Sequence, residues 1–220
     1  VAAYDSAHRL ANLIVIHKTL TQPLASYAYT LDALGNRLTQ QTLTQTIVYV
    51  YDDANRLSRV NGQPYTWDNN GNLLNDGVTT YAYDAANRLL ATSSLSLTTN
   101  YTYNGLGDRV QQAMNGVPTI YAIDIAGGLT QVLADGANTY VYGLGRISQQ
   151  SMTNTAYFLG DALGSVRQLA SVTGSVVLRR DYDPYGNVLT SVGSGASAYG
   201  FTGEWTDNTS LVLLRTVLCA

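Results

Sequence analysis

Laid against itself, the sequence returns one unit again and again, and a repeat of this kind has to be settled before any other fold argument. The two most alike copies are Tyr49-Val50-Tyr51-Asp52-Asp53-Ala54-Asn55-Arg56-Leu57 and Tyr81-Ala82-Tyr83-Asp84-Ala85-Ala86-Asn87-Arg88-Leu89. Both read aromatic-x-aromatic-Asp, a small linker, then Asn-Arg-Leu. Looser copies begin at Tyr29, Tyr65 and Tyr101, and degenerate ones at Tyr121 and Tyr140. Measured at the second aromatic position (Leu31, Tyr51, Trp67, Tyr83, Tyr103, Ile123, Tyr142), the copies lie 16 to 20 residues apart. That is the length of one β-hairpin.

Alternation gives the unit its physical sense. Residues two apart on a strand share a face, so Tyr49 and Tyr51, or Tyr81 and Tyr83, stand on one side. Tyrosine suits a half-wet sheet, because its ring packs and its hydroxyl finds a partner. The following Asp opens a turn by bonding the backbone two residues on, and Gly or Asn supplies the positive φ. Arg-Leu then starts the return strand. Second turns at Asn61-Gly62, Asn75-Asp76-Gly77, Asn115-Gly116 and Asp135-Gly136 lead into the next Tyr-x-Tyr. Residues 11–20 are β-branched enough to favour a strand over a helix. The fold class expected is all-β, built of repeated antiparallel β-hairpins.

Composition narrows the functions open to such a chain. Charged residues make up 12%, net charge is −3 with a pI near 5.1, and Lys18 is the one lysine among 12 basic residues. No electrostatic footprint for nucleic acid results, so no nucleic-acid partner is expected. One cysteine, Cys219, excludes an internal disulfide framework and a Cys-based metal site. His8 and His17 lack acidic or Cys partners at metal-ligand spacing, and neither belongs to a nucleophile motif; no catalysis and no cofactor are expected. No run approaches the ~18 apolar residues of a membrane span, and residues 1–20 lack a signal-peptide pattern, so a soluble chain is expected. The opening Val1 and the motif already under way at Tyr4-Asp5 suggest further residues upstream.

From about residue 155 the pattern changes, through Asp161-Ala162-Leu163-Gly164-Ser165-Val166-Arg167, Tyr182-Asp183-Pro184-Tyr185-Gly186, a Gly/Ser/Ala linker at Ser191 to Ala198, and Tyr199-Gly200-Phe201-Thr202-Gly203-Glu204. The tyrosine-aspartate units resemble YD repeats, and these later segments, in this order, resemble the Rhs repeat-associated core. The resemblance divides the chain into a hairpin array at 1–154 and a core segment at 155–220. It implies hairpins spiralling into a curved, hollow β-shell with the core plugging one end, as in bacterial Rhs toxins, the C component of insecticidal toxin complexes and the teneurins. It also implies a secreted or cell-surface bacterial protein whose partners are a polypeptide cargo or the remainder of the shell. In such proteins the shell encloses a variable C-terminal toxin, freed by self-cleavage after the core. Here the Arg-x-Tyr-Tyr-Asp-Pro run and the Asp-Pro-x-Gly cleavage element expected after Leu211-Val212-Leu213-Leu214-Arg215 are replaced by Thr216-Val217-Leu218-Cys219-Ala220, which reads as a frameshift or premature stop. Neither self-cleavage nor toxin activity carries over.

Several candidate sites have plainer explanations beside them. Asp183-Pro184-Tyr185-Gly186 imitates the cleavage element, with Asp181 and Asp183 as paired carboxylates, but matches an ordinary turn in which Pro fixes φ and Gly takes the positive-φ position. Arg9, Arg37, Arg56, Arg88 and Arg109 recur in register, as architecture alone requires. Tyr49, Tyr51, Tyr81, Tyr83, Tyr101 and Tyr103 are the candidate binding residues, an aromatic platform for carbohydrate or a cell surface; hairpin packing is the competing account. Gly193 to Ala198 mimics a dinucleotide loop without the strand and helix that one needs. Asn100-Tyr101-Thr102 and Asn208-Thr209-Ser210 fit the glycosylation sequon, by chance in a bacterial protein. An unpaired first strand and a curtailed last one imply exposed edges and a tendency to associate.

Overall fold

A computed structural model of the protein describes residues 1–16, 23, 25–126, 129–207, 209, 211–213 and 218–219. Two compact units result, Val1–Thr80 and Tyr81–Ala220. In the first, strands Ala2–Tyr4, Leu10–Val15, Ala25–Leu31, Arg37–Gln41, Thr46–Tyr51, Leu57–Val60 and Gln63–Pro64 stand side by side in chain order, and Thr66–Trp67 pairs with Leu73–Asn75. In the second, Leu89–Ser93, Thr98–Tyr103, Arg109–Met114 and Val117–Ile120 follow one another in one sheet. Eight strands from Ala122–Asp124 to Val188–Gly193 form another, and Trp205–Thr206, Val212–Leu213 and Leu218–Cys219 form a small third. All the pairings are antiparallel hairpins between sequence neighbours, as the repeat predicts. The strand expected within residues 11–20 is present as Leu10–Val15; residues 17–20, with His17 and Lys18, lie outside the described part.

Side-chain alternation follows the pleat. In Thr46–Tyr51, Ile47, Tyr49 and Tyr51 are half-buried while Thr46, Val48 and Val50 are exposed. The first tyrosine is buried in five copies, Tyr29, Tyr81, Tyr101, Tyr121 and Tyr140, and half-buried in two, Tyr49 and Tyr65. Its cross-strand neighbour is a buried glutamine in three copies, Tyr29 opposite Gln40, Tyr101 opposite Gln112 and Tyr140 opposite Gln149. Gln112 Oε1 accepts the hydroxyl of Tyr121, from the following repeat, at 2.9 Å. A buried hydroxyl and a buried amide thus satisfy each other, which avoids the 1–3 kcal/mol or so that an orphaned group costs.

The second aromatic ties one hairpin to the one before it. Tyr103 Oη donates to the Leu89 carbonyl at 2.8 Å, Tyr142 Oη to Val132 at 2.9 Å and Tyr182 Oη to Val166 at 3.0 Å. Trp67 makes the same bond with its indole N–H, to Leu57 at 2.7 Å. This explains why Trp substitutes for Tyr there: both carry a donor at the end of a flat ring.

Each Asp turn is closed by its own carboxylate. Asp52 Oδ1 accepts the amides of Ala54 and Arg56, and Oδ2 accepts Arg56 Nε at 2.9 Å. Asp84 repeats this with Ala86 and Arg88, while at Asp32 and Asp68 the amide of Asn36 or Asn72 takes the place of the guanidinium. Asn55 and Asn87 hold φ of 63° and 59° at the position where Gly35 has 97°, a region that Asn and Gly tolerate. A register shift just before the second aromatic, as at Val50/Tyr51 and Thr102/Tyr103, identifies a hairpin closed by a bulge. The carboxylates of Asp52 and Asp84 are held below the ordinary range first by the backbone N–H of Arg56 and Arg88, and that of Asp68 first by the Asn72 side chain.

Two expectations need correction. The recurring arginines fall into two registers: Arg9, Arg56 and Arg88 stand four residues after their Asp and pair with it, whereas Arg37 and Arg109 come one residue later and point across the tyrosine face. Ser191 to Ala198 is not all linker, because strand Val188–Gly193 runs into it. The rest is bolted down, with the Gly195 N–H on the Val177 carbonyl and Gln149 Nε2 on the Ala196 carbonyl. Asp183 closes the ordinary turn read from the sequence, while Asp181 meets Arg167 at 2.7 Å and Thr190. That turn and the one at Asp161 show the hairpin chemistry continuing past residue 155.

Candidate functional site: an aromatic and arginine clamp on the last segment

The second unit holds one cluster in which residues far apart in sequence converge. Tyr199 and Trp205, from the segment after the last long strand, pack edge-on among the repeat tyrosines. Ring centroids are 5.4 Å apart for Tyr121 and Trp205, 5.0 Å for Tyr140 and Tyr199, and 5.1 Å for Tyr199 and Trp205. Edge-to-face rings at these distances gain beyond their area of contact. Phe158 faces Tyr199 at 6.1 Å, and Arg146 lies over the Tyr199 ring at 3.0 Å while donating to the Gly203 carbonyl at 2.8 Å. Arg180, standing where other repeats carry their first tyrosine, donates to the carbonyls of Ser197 and Tyr199.

Backbone room is made for the segment. A Cβ on Gly186 would stand 2.5 Å from the Phe201 ring, and one on Gly203 would stand 2.9 Å from the Gly164 carbonyl. Ser165, wholly buried, accepts the Thr202 N–H at 3.0 Å, and the Val166 N–H donates to Gly200 at 2.9 Å. Without a side chain at 186, the Phe201 ring closes over its turn.

Asp207 completes the clamp. Its Oδ1 accepts the amides of Thr209 and Leu211, and its own N–H donates to the Leu211 carbonyl, so it opens the same turn as the repeat aspartates. Leu211 stands where the repeats carry Arg or Asn, and its side chain has no donor. Oδ2 instead accepts Tyr101 Oη at 2.9 Å and Arg109 Nη1 at 3.3 Å. The ion pair is almost wholly buried, at 2% and 0% side-chain exposure. Arg109 is also flanked by the Tyr101 and Tyr121 rings at 5.3 and 5.4 Å, a favourable cation–π setting. Burial, followed by the nearby Asp207 charge, raises the Tyr101 hydroxyl pKa; burial likewise pushes Tyr121 up to about 12.

Beside this pair is a cavity of about 220 Å³ lined by Asp108, Arg109, Arg146, Glu204, Tyr142 and Trp205 among others. Among the described residues no group of His, Cys, Asp and Glu could hold a metal ion, and no helix is long and apolar enough to cross a membrane. The arrangement can hold a chain segment in place: carbonyls of the segment accept from Arg146 and Arg180, Asp207 accepts from Tyr101 and Arg109, and rings fill the space between.

The six tyrosines singled out in the sequence are divided between the two units. Tyr49 and Tyr51 are half-buried in the first unit, with Arg37 over the Tyr49 ring at 4.9 Å. In the second, Tyr81 and Tyr101 are buried, Tyr83 and Tyr103 half-buried, and Arg88 lies over Tyr103 at 5.1 Å. Sequence reasoning missed Arg146, Trp205 and Asp207. The signal for Asp207 was its spacing to Leu211, masked by an apolar residue where the turn usually carries a donor. The Asn208 sequon drew the eye instead; Asn208 and Ser210 lie outside the described residues.

The sequence profile of the family described as Teneurin YD-shell matches residues 3–217. The tRNA nuclease WapA of Bacillus subtilis (strain 168) is 32% identical over 174 residues, 72% of this chain and 7% of that protein. The tRNA(Glu)-specific nuclease WapA of Bacillus subtilis subsp. natto is 30% identical over 155 residues, 66% of this chain and 6% of that protein. The chain thus spans well under a tenth of the length of these relatives. Among solved structures, a Tc holotoxin pore of Photorhabdus luminescens aligns over 100% of this chain and 16% of its own, at 14% identity and a TM-score of 0.47. TcdB2-TccC3 without its hypervariable C-terminal region aligns over 99% and 18%, at 13% identity and a TM-score of 0.48. The profile match over nearly the whole chain joins a hairpin that repeats its tyrosines, its Asp turn and its bulge in register: this chain belongs to the YD-shell family of Rhs/YD-repeat proteins.

Proposed function

We propose that the chain is a non-catalytic piece of a secreted bacterial shell, with residues 1–154 as its hairpin wall and 155–220 as the core segment that ends it. The wall encloses a polypeptide cargo, which in the longer protein is a toxin following the core. The observation that carries this reading is the clamp: hairpins from Tyr101 to Tyr182 hold the segment Tyr199–Leu213 by ring packing, carbonyl bonds and a buried ion pair. Such a clamp fixes the path of the chain as it leaves the array, as a shell that keeps its cargo on one side requires. The Bacillus relatives are named as nucleases, which suggests the class of cargo; their activity belongs to proteins many times longer.

In this proposal the six tyrosines serve the wall. Burial of Tyr81 and Tyr101, and the use of the Tyr103 hydroxyl on the neighbouring hairpin, support that assignment over a sugar platform. The test is protease protection in the full-length polypeptide that includes these residues and the segment after them. The downstream segment should survive protease in the parent and be digested in Trp205→Ala, with the shell resistant in both. A downstream segment digested equally fast in both would remove the enclosing role.

A further inference from the structure

The sheets end on strands of very different character. Ala2–Tyr4 and Thr66–Trp67 are short, Gln63–Pro64 and Val117–Ile120 carry Pro64 and Pro118, and Ala122–Asp124 carries an acid. Short length, proline and charge are the usual ways of preventing an edge from pairing with another chain. Val188–Gly193 has none of them. It is six residues long, every residue is exposed, and no charge occurs between Asp183 and Glu204. Val188, Leu189 and Val192 are exposed at 53%, 49% and 65%. One side of this strand is bonded to Val176–Tyr182; among the described residues no backbone bond reaches its other side.

We infer that strand Val188–Gly193 is a docking edge that pairs antiparallel, across a two-fold axis, with the same strand of a second copy of this chain. Self-pairing sets each residue opposite one from the same short run, and an uncharged run opposes no like charges in any register. The new pair joins two eight-stranded sheets into one and covers the exposed valines and leucine of both copies. A partner strand carrying its own charges would find nothing here to answer them, which favours the second copy over an acidic or basic peptide.

The experiment is sedimentation velocity on the full chain over a concentration series, beside Val192→Glu. Val192 lies opposite Arg179 on the neighbouring strand, so the new carboxylate gains a partner within its own chain and the fold is kept. In a dimer paired about the middle of the strand, residue 192 lies opposite Leu189 of the second copy, so each new carboxylate would face an apolar side chain there. The parent should pass from monomer to dimer as concentration rises, Val192→Glu should need at least tenfold more protein to do so, and Val172→Glu, at an exposed turn position, should match the parent. Leu189→Asp provides a second reading should Val192→Glu lose its β-sheet circular dichroism. A parent that stays monomeric across the series, or a dimer indifferent to both edge variants, overturns the proposal.

Discussion

The turn at Asp52 and the turn at Asp207 use one carboxylate geometry to different ends. At Asp52 both oxygens are used within five residues, on Ala54, Arg56 and the Arg56 side chain, and the pair lies open to solvent. At Asp207 one oxygen closes the turn, and the other reaches Tyr101 and Arg109 about a hundred residues back, sealed from water. The difference comes down to the residue four places on, Arg56 in one turn and Leu211 in the other. A local donor makes the turn self-sufficient; its absence makes the turn a long-range contact. Ser165 repeats the lesson at the Asp161 turn, where a small hydroxyl replaces Arg or Asn and holds the Thr202 amide.

The sharpest way to break this comparison is to remove one charge from the buried pair. Arg109→Met should destabilise the second unit by about 3–5 kcal/mol, because Asp207 would be left charged and dry. Replacing both, Arg109→Met with Asp207→Asn, should recover part of that loss, and urea unfolding of the cycle measures the coupling. A near-zero effect of the single change would mean the pair is wetter than its geometry implies.

A middle-sized test concerns the bond between hairpins. Tyr103→Phe keeps the ring and deletes the donor to Leu89, so a loss of about 1 kcal/mol is expected. Leu31 and Ile123 occupy the same repeat position without a donor, and exchanging either for Tyr is not expected to repeat that change in reverse, since no bond is lost there.

The smallest effects belong to the solvent-facing turns. The carboxylates of Asp5, Asp32, Asp52, Asp68 and Asp84 are held below their unfolded value of 3.8. Their contribution is therefore complete above about pH 4 and is lost as pH falls through the lowered folded values. Arg56→Gln should lower the melting temperature slightly, by an amount that shrinks with added salt. Melting curves at pH 3 and pH 6, at low and high salt, check the sign.

Most of the hairpin architecture was legible because its determinants are local. Tyr-x-Tyr alternation, an Asp that bonds the amides two and four residues on, and Asn or Gly at positive φ all act within a few residues, and so they recur visibly. The Tyr199 segment was legible as a motif, though its place was not. What the sequence hid was the second arginine register. Arg37 and Arg109 differ from Arg56 and Arg88 by one position after the turn, and in a strand one position changes the face. Trp205 and Asp207 were hidden for a related reason: their partners come from hairpins whose distance in space no local pattern encodes.

Strand order within each sheet follows chain order throughout, so no connection has to cross over another element. A segment that begins at one tyrosine pair and ends just before the next can be duplicated or lost without rethreading what remains. Neighbours on either side meet the same backbone edge, the same bulge and the same aromatic donor. Such a ribbon can lengthen through copying errors of whole units while its interior contacts stay unchanged, and variation in length then falls to the number of hairpins rather than to their design.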